Sequence, residues 1–177
     1  MLIEPIVHGD DRGFFLESYR ADCFERNGIS ARFVQEGHSK SVKGTLRGLH
    51  FQHPKSQAKL IRVSLGEALD VVLDIRVGSP SFGKWISLVL SADNHRELFI
   101  PEGFAHGFFV MSAAAEFQYK CTDYYAPEYE RGIVWNDPQL AINWPTERPL
   151  LSARDRVFRS LSEIPREELP RYRSQEK

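Results

Sequence analysis

The chain holds only two cysteines, Cys23 and Cys121, among 177 residues. Two thiols cannot build a disulfide framework or a four-cysteine metal site. Nor does any apolar run approach the roughly 20 residues that a membrane-spanning helix needs. The opening stretch, Met1-Leu2-Ile3-Glu4-Pro5, lacks the basic start and apolar core of a secretory signal. A cytoplasmic protein that engages no membrane is therefore expected. Excess charge is missing too: 23 Lys and Arg stand against 24 Asp and Glu, a formal net charge of -1. That balance exerts no broad pull on nucleic acid, which is not an expected partner. Any anionic ligand would have to be gripped by a local cluster of arginine and lysine.

What is present is an ordinary globular balance of 42% hydrophobic and 27% charged residues. The length suits one domain over residues 1–177. Short apolar or alternating runs, punctuated by Gly, Pro, Asn and Asp, predict strands at 14–19, 32–38, 45–51, 59–65, 68–75, 85–90, 97–100, 106–111, 116–122 and 133–135. In 69–75 one face is continuously apolar while the other carries Asp70 and Asp74, as in a half-buried strand. Residues 21–27 suit one or two helical turns ended by Gly28, and the charged tail from about 160 is at most partly helical. The reading is an all-β antiparallel sandwich or barrel with a small C-terminal appendage.

Five clusters could carry chemistry. In Leu46-Arg47-Gly48-Leu49-His50-Phe51-Gln52, His50 could be a general base, a metal ligand or a satisfied core residue. Strict alternation puts Arg47 and His50 on opposite faces, but Gly48 permits a bulge that turns both inward. Lys59 shares parity with Ile61, Val63 and Leu65, an otherwise apolar face. There it either meets an anionic partner or ligand, or begins the strand and snorkels to water. Pro101, Gly103 and His106 form a P-x-G-x-x-H pattern that resembles the second conserved motif of cupins. The first cupin motif is incomplete: His50 and His53 are followed by no carboxylate before Glu67, a poor metal set. Tyr119 shares parity with Phe117, which suits a core tyrosine or a phenol that donates a proton. Asp155 lies in a loop and is exposed unless it meets a histidine.

Taken in order, these clusters resemble the dTDP-4-dehydrorhamnose 3,5-epimerase family. The resemblance begins at Gly9-Asp10-Asp11-Arg12-Gly13-Phe14-Phe15-Leu16-Glu17 and runs through Phe33-Val34-Gln35 into the His50 cluster. It continues in Lys59-Leu60-Ile61-Arg62-Val63, Asp70-Val71, Asp74-Ile75-Arg76, Ser79-Pro80-Ser81-Phe82-Gly83-Lys84-Trp85 and the His106 cluster. Tyr119, Tyr124-Tyr125-Ala126-Pro127, Trp135-Asn136-Asp137-Pro138 and Leu151-Ser152-Ala153-Arg154-Asp155 close it, so the match spans about 4 to 158.

The resemblance implies a cupin-type β-barrel or jelly roll, a homodimer, no metal and no cofactor, acting on a dTDP-4-keto-6-deoxyhexose. It assigns His50 as base, Asp155 as its carboxylate partner, Tyr119 as acid and Lys59 as the cation that meets the enolate oxygen. Arg47 would lie near the sugar or diphosphate, and His106 would help form the sugar pocket. Arg12, Phe15, Glu17, Gln35, Tyr125, Glu130 and Arg154 would hold the nucleotide, with Phe15 and Tyr125 as stacking partners for the base. The chain departs from the family pattern at Gly37, where an Asn is usual, at Ala58 beside Lys59, and at Arg154, where a Lys is usual.

Three readings compete on these grounds: inversion at C3 and C5, inversion at only one of them, and a cupin that binds metal or sugar through His50, His53 and His106 without epimerising anything.

Overall fold

A computed structural model of the chain describes residues 1–172. The last five, which belong to the tail expected to be partly helical, lie outside the described residues.

The punctuation of the sequence becomes twelve strands: β1 (Leu2–Ile3), β2 (Val7–Asp10), β3 (Gly13–Leu16), β4 (Gln35–Val42), β5 (Leu46–Gln52), β6 (Lys59–Leu65), β7 (Glu67–Asp74), β8 (Trp85–Ser91), β9 (Glu97–Ile100), β10 (Phe104–Val110), β11 (Ala114–Cys121) and β12 (Glu130–Gly132). One helix, α1 (Ala21–Arg26), follows the β2–β3 hairpin, and single 3-10 turns occupy Pro127–Tyr129, Leu161–Glu163 and Arg166–Glu168. The strands form two antiparallel five-stranded sheets, ordered β1-β9-β6-β11-β4 and β12-β5-β10-β7-β8, with β2 and β3 paired apart from both. This is the antiparallel architecture that the sequence pattern predicts, in the cupin-like form that the family resemblance implies. Among these residues no helix is long and apolar enough to cross a membrane.

The inner faces meet in a core built from Ile61, Val63, Leu98, Ile100 and Phe117 of the first sheet and Ala68, Val72, Phe108 and Val110 of the second. Phe108 and Phe117 stack across the gap with ring centroids 3.8 Å apart, which adds about 0.5–1.5 kcal/mol beyond area burial. The outer face of the second sheet is covered as well. Leu49, Val71, Leu73 and Ala105 pack there against Ile133, Leu140, Trp144, Leu161 and Ile164 from the C-terminal segment. The Trp85 and Trp144 indole N–H groups fasten that layer by donating to the carbonyls of Leu140 and Trp135, both at 2.8 Å.

Three expectations are corrected by this layering. The 133–135 run is not a strand of its own: Ile133 exchanges two backbone hydrogen bonds with Leu49 of β5 and bridges Arg159, and the short strand β12 lies just before it. The polar face of β7 does not meet water, since Asp70 is 0% and Asp74 2% exposed. Alternation shows that a strand has two kinds of face, but a polar face can look into an interior cavity as well as out to solvent. The first predicted strand is also shorter, since β3 ends at Leu16, and the second is shifted along the chain to Gln35–Val42.

Candidate active site

Between the two sheets lies a cavity of about 360 Å³. The first sheet contributes Gln35, Lys59, Tyr119 and Cys121 to its lining, and the second contributes Arg47, His50, His106 and Glu130. Tyr125 and Arg154 reach it from loops. Arg47 and His50 both enter because β5 is bulged: His50 pairs with His106 and Arg47 with Phe108, so three steps along β5 match two along β10. Gly48 makes this fit. Its φ is +128, and a Cβ there would lie 2.5 Å from the Gly107 Cα.

His50 does meet the loop carboxylate. Its Nε2 and the Asp155 Oδ1 are 2.5 Å apart, and Asp155 is 2% exposed. The Ser152 hydroxyl donates to the other carboxylate oxygen at 2.8 Å. Burial works against ionisation of Asp155, but the hydrogen bonds from His50 and Ser152 prevail and hold its pKa below the ordinary value. A buried carboxylate on Nε2 leaves Nδ1 with its lone pair, and it favours the imidazolium that forms when that nitrogen takes a proton.

On the other sheet, Tyr119 is partly buried against the inter-sheet core. Burial raises its pKa, Cys121 and Glu130 raise it further, and Arg47 opposes them. The phenol therefore keeps its proton at neutral pH and can donate it. Lys59 opens β6 with intermediate exposure and lines the cavity instead of reaching bulk water. Desolvation lowers its pKa, opposed by the negative potential of Cys121, Glu130 and Asp70.

Asp70, part of the family resemblance, has no site role assigned to it from the sequence. Its Oδ2 accepts from His106 Nε2 at 2.8 Å, so the cavity holds a second buried His–Asp pair. The signal available was an acidic residue two positions from apolar ones in a strand flanked by other strands, which fits a solvated face equally well.

At the rim, Glu130 accepts two hydrogen bonds from Arg154, at 2.6 and 2.7 Å, in a fork, and the Tyr125 hydroxyl also donates to it. Gln35 Oε1 accepts from the Tyr125 backbone N–H at 2.7 Å, which sets the tyrosine over the opening. Tyr125 is 49% exposed, an open ring face. Arg12, Phe15 and Glu17 are not brought to this cavity. Arg12 and Phe15 stand exposed on the β2–β3 hairpin, and Phe15 and Glu17 border a separate hollow of about 480 Å³ between the N-terminal segment and α1. His53 does not line the cavity either, and among the described residues no three His, Cys, Asp or Glu side chains gather as a metal ion would require.

The model of the dTDP-4-dehydrorhamnose 3,5-epimerase family matches residues 1–163. The chain belongs to this family. It is 54% identical over 165 residues to the dTDP-4-dehydrorhamnose 3,5-epimerase of Pseudomonas aeruginosa, covering 92% of this chain and 91% of that one. A crystal structure of the Legionella pneumophila 3,5-epimerase in complex with dTDP-4-keto-L-rhamnose superposes with a TM-score of 0.95 at 53% identity, covering 98% of this chain and 93% of the other. A dTDP-4-dehydrorhamnose 3-epimerase from Streptomyces niveus is also related, at 42% identity over 91% of this chain and 79% of that one. Members of the 3,5-epimerase family are isomerases, and so is this chain.

Proposed function

We propose that the chain inverts C3 and C5 of dTDP-4-dehydro-6-deoxy-D-glucose to give dTDP-4-dehydro-L-rhamnose, a step of dTDP-L-rhamnose biosynthesis, and that residues 1–177 act as one epimerase domain. The observation that carries the mechanism is the division of labour between the sheets. A carboxylate-backed imidazole, His50, comes from one, and a phenol with a raised pKa, Tyr119, from the other, around a single cavity.

The C4 ketone acidifies the hydrogens on C3 and C5. His50 takes one of them, and the C–H electron pair moves to the C4 oxygen as an enolate. Lys59 lies in the same cavity to meet that charge, with His106 beside it. Tyr119 then protonates the same carbon from the opposite face, the enolate collapses to the ketone, and the centre is inverted. The imidazolium returns its proton to solvent and the phenolate takes one up, so nothing is consumed. Repetition at the second carbon completes the conversion.

The nucleotide half of the substrate would lie at the rim, with its diphosphate near Arg47 and Arg154 and its base against Tyr125. Arg12, Phe15 and Glu17 contribute only if a second copy brings its hairpin across the opening. A homodimer is therefore part of this reading, supported by a hairpin that pairs with neither five-stranded sheet, stands exposed and does not line its own cavity.

Incubation with dTDP-4-dehydro-6-deoxy-D-glucose in deuterated water, read by NMR, tests the proposal. Deuterium should enter at both C3 and C5. Label at one carbon alone would move the chain to the single-site reading that the Streptomyces niveus relative represents.

A further inference from the structure

Lys59 and His106 face the cavity on one side and a smaller hollow on the other. That hollow, of about 10 Å³, is lined by Lys59 and His106 and also by Ile100, Gly103, Phe104 and Pro170, none of which reaches the main cavity. It has room for about one water at most.

Pro170 is held over the hollow by the last described residues. Leu169 is 2% exposed and anchors them in the layer that covers the second sheet. The Val77 N–H donates to the Pro170 carbonyl at 2.8 Å, and the Tyr172 N–H donates to the Val77 carbonyl at 3.0 Å. The Arg76 guanidinium lies 4.3 Å from the Phe104 ring centroid and 5.1 Å from that of Tyr172, within cation–π range of both. Asp74 holds that guanidinium in a fork, at 2.9 and 2.6 Å. The turn before β10 packs closely beneath it, since a Cβ on Gly103 would stand 2.6 Å from the Arg76 Cγ. The match to the family ends at residue 163, before these residues begin.

We propose, on the basis of the function argued above, that residues 169–172 form a strap that positions the oxygen-binding side of the site, by shutting water out from behind Lys59 and His106. A cation and a hydrogen-bond donor act more strongly on a developing oxyanion when solvent is kept away from them. Pro170 suits the place, because it presents an apolar ring and has no N–H to satisfy. Tyr172 acts through Arg76, whose contact with Phe104 steadies the start of the strand that carries His106.

The pH dependence of turnover should report on this cover. The groups around Lys59 are Cys121 and Tyr119 on β11, Asp70 on β7, Glu130 on β12, His106 on β10, and Arg47 and His50 on β5. On the strap side the charged neighbour is Arg76, already paired with Asp74. Desolvation lowers the Lys59 pKa while burial raises that of Tyr119, so the charge of Lys59 is lost first as pH rises. Water admitted from behind would favour the ammonium and raise the Lys59 pKa again.

The test is the double variant Pro170→Gly/Tyr172→Ala in the full-length protein, assayed with dTDP-4-dehydro-6-deoxy-D-glucose. kcat should fall by about 10-fold, with KM and dTDP affinity retained, and the alkaline limb of kcat should move to higher pH. A lower melting temperature with an unmoved limb would mean that the strap only stabilises the fold, and overturns the proposal. Should the double variant fail to fold, Tyr172→Ala alone decides, since that ring is 38% exposed. It should move the limb in the same direction by a smaller amount, and Tyr172→Phe, which keeps a ring over Arg76, should restore it. An unmoved limb in Tyr172→Ala overturns the inference. A wild-type protein that exchanges neither the C3 nor the C5 hydrogen overturns the functional reading itself, whereas normal wild-type exchange with unaffected strap variants removes only the role of the strap.

Discussion

The ring of Tyr119 lies in the space that a side chain at Gly37 would occupy. The two residues are register partners on β11 and β4, and a Cβ built on Gly37 would stand 2.4 Å from the tyrosine Cζ, 2.5 Å from its Oη and 2.7 Å from Cε2. The Gly37 backbone is not in the left-handed region, so its conformation would accept any residue. The glycine is there for space. Its departure from the family pattern thus falls on the side chain assigned as proton donor.

Gly37→Ala should therefore cost stability only while Tyr119 is present. Alanine in a strand is ordinarily better than glycine, but here the ring must shift by roughly 1 Å to regain normal contact, an overpacking cost of about 1–3 kcal/mol. Thermal unfolding of Gly37→Ala in the wild-type and Tyr119→Ala backgrounds measures this. An equal effect in both would show that the ring is not what the alanine meets.

Removing the acid should separate the two halves of each inversion. In Tyr119→Phe, His50 still abstracts hydrogen and returns deuterium to the same face, so exchange into recovered substrate persists. Product formation should drop by about 10²–10⁴-fold, the usual contribution of a positioned general acid. NMR in deuterated water reads both quantities together, and unchanged product formation would assign the proton to another donor.

Removing the base should silence both carbons. His50→Ala is expected to abolish exchange at C3 and C5 alike. Asp155→Asn should leave the ring in place but allow the wrong tautomer, with a loss of about 10²–10⁴-fold in turnover. Because the Asp155 pKa is lowered in the folded protein, the stability it contributes is present above the ordinary carboxylate range and is lost as pH falls through that depressed value. The difference in melting temperature between wild type and Asp155→Asn should accordingly shrink in acid.

Glu97 behaves in the opposite sense. It is 2% exposed, one oxygen has no hydrogen-bond partner, and Arg62 stands 3.8 Å away. Burial outweighs the attraction of Arg62 and Lys120 and pushes its pKa up to about 7. A raised carboxyl pKa means that the folded state prefers the proton, so stability is lost as pH rises from the ordinary value toward 7. Glu97→Gln should match wild type in stability at acidic pH, gain on it across that interval, and hold a constant advantage above. Melting curves across pH provide the comparison, and a flat difference would contradict the assignment.

Local pattern and remote geometry were legible to different degrees. Strands β5, β6, β10 and β11 were readable because apolar alternation is a property of neighbouring residues, and so the side chains that line the cavity could be named. The inward turn of Arg47 and His50 was readable from Gly48, since few other residues allow that bulge. Asp155 was not readable from periodicity. It sits 105 residues beyond His50 in a loop with no regular period, and only the family resemblance pointed to it. Asp70 was hidden for another reason, because alternation cannot distinguish water outside from a polar cavity inside. The run 133–135 was misplaced because only Ile133 pairs with β5, while its apolar side chain and that of Trp135 serve the layer covering the second sheet.

That layer also reaches the cavity. The segment that covers the outer face of the second sheet carries on to Asp155, whose carboxylate meets His50, 105 residues earlier in the chain. A substitution that loosens the cover is therefore expected to withdraw the carboxylate from the imidazole, and so to act inside the cavity without touching its lining.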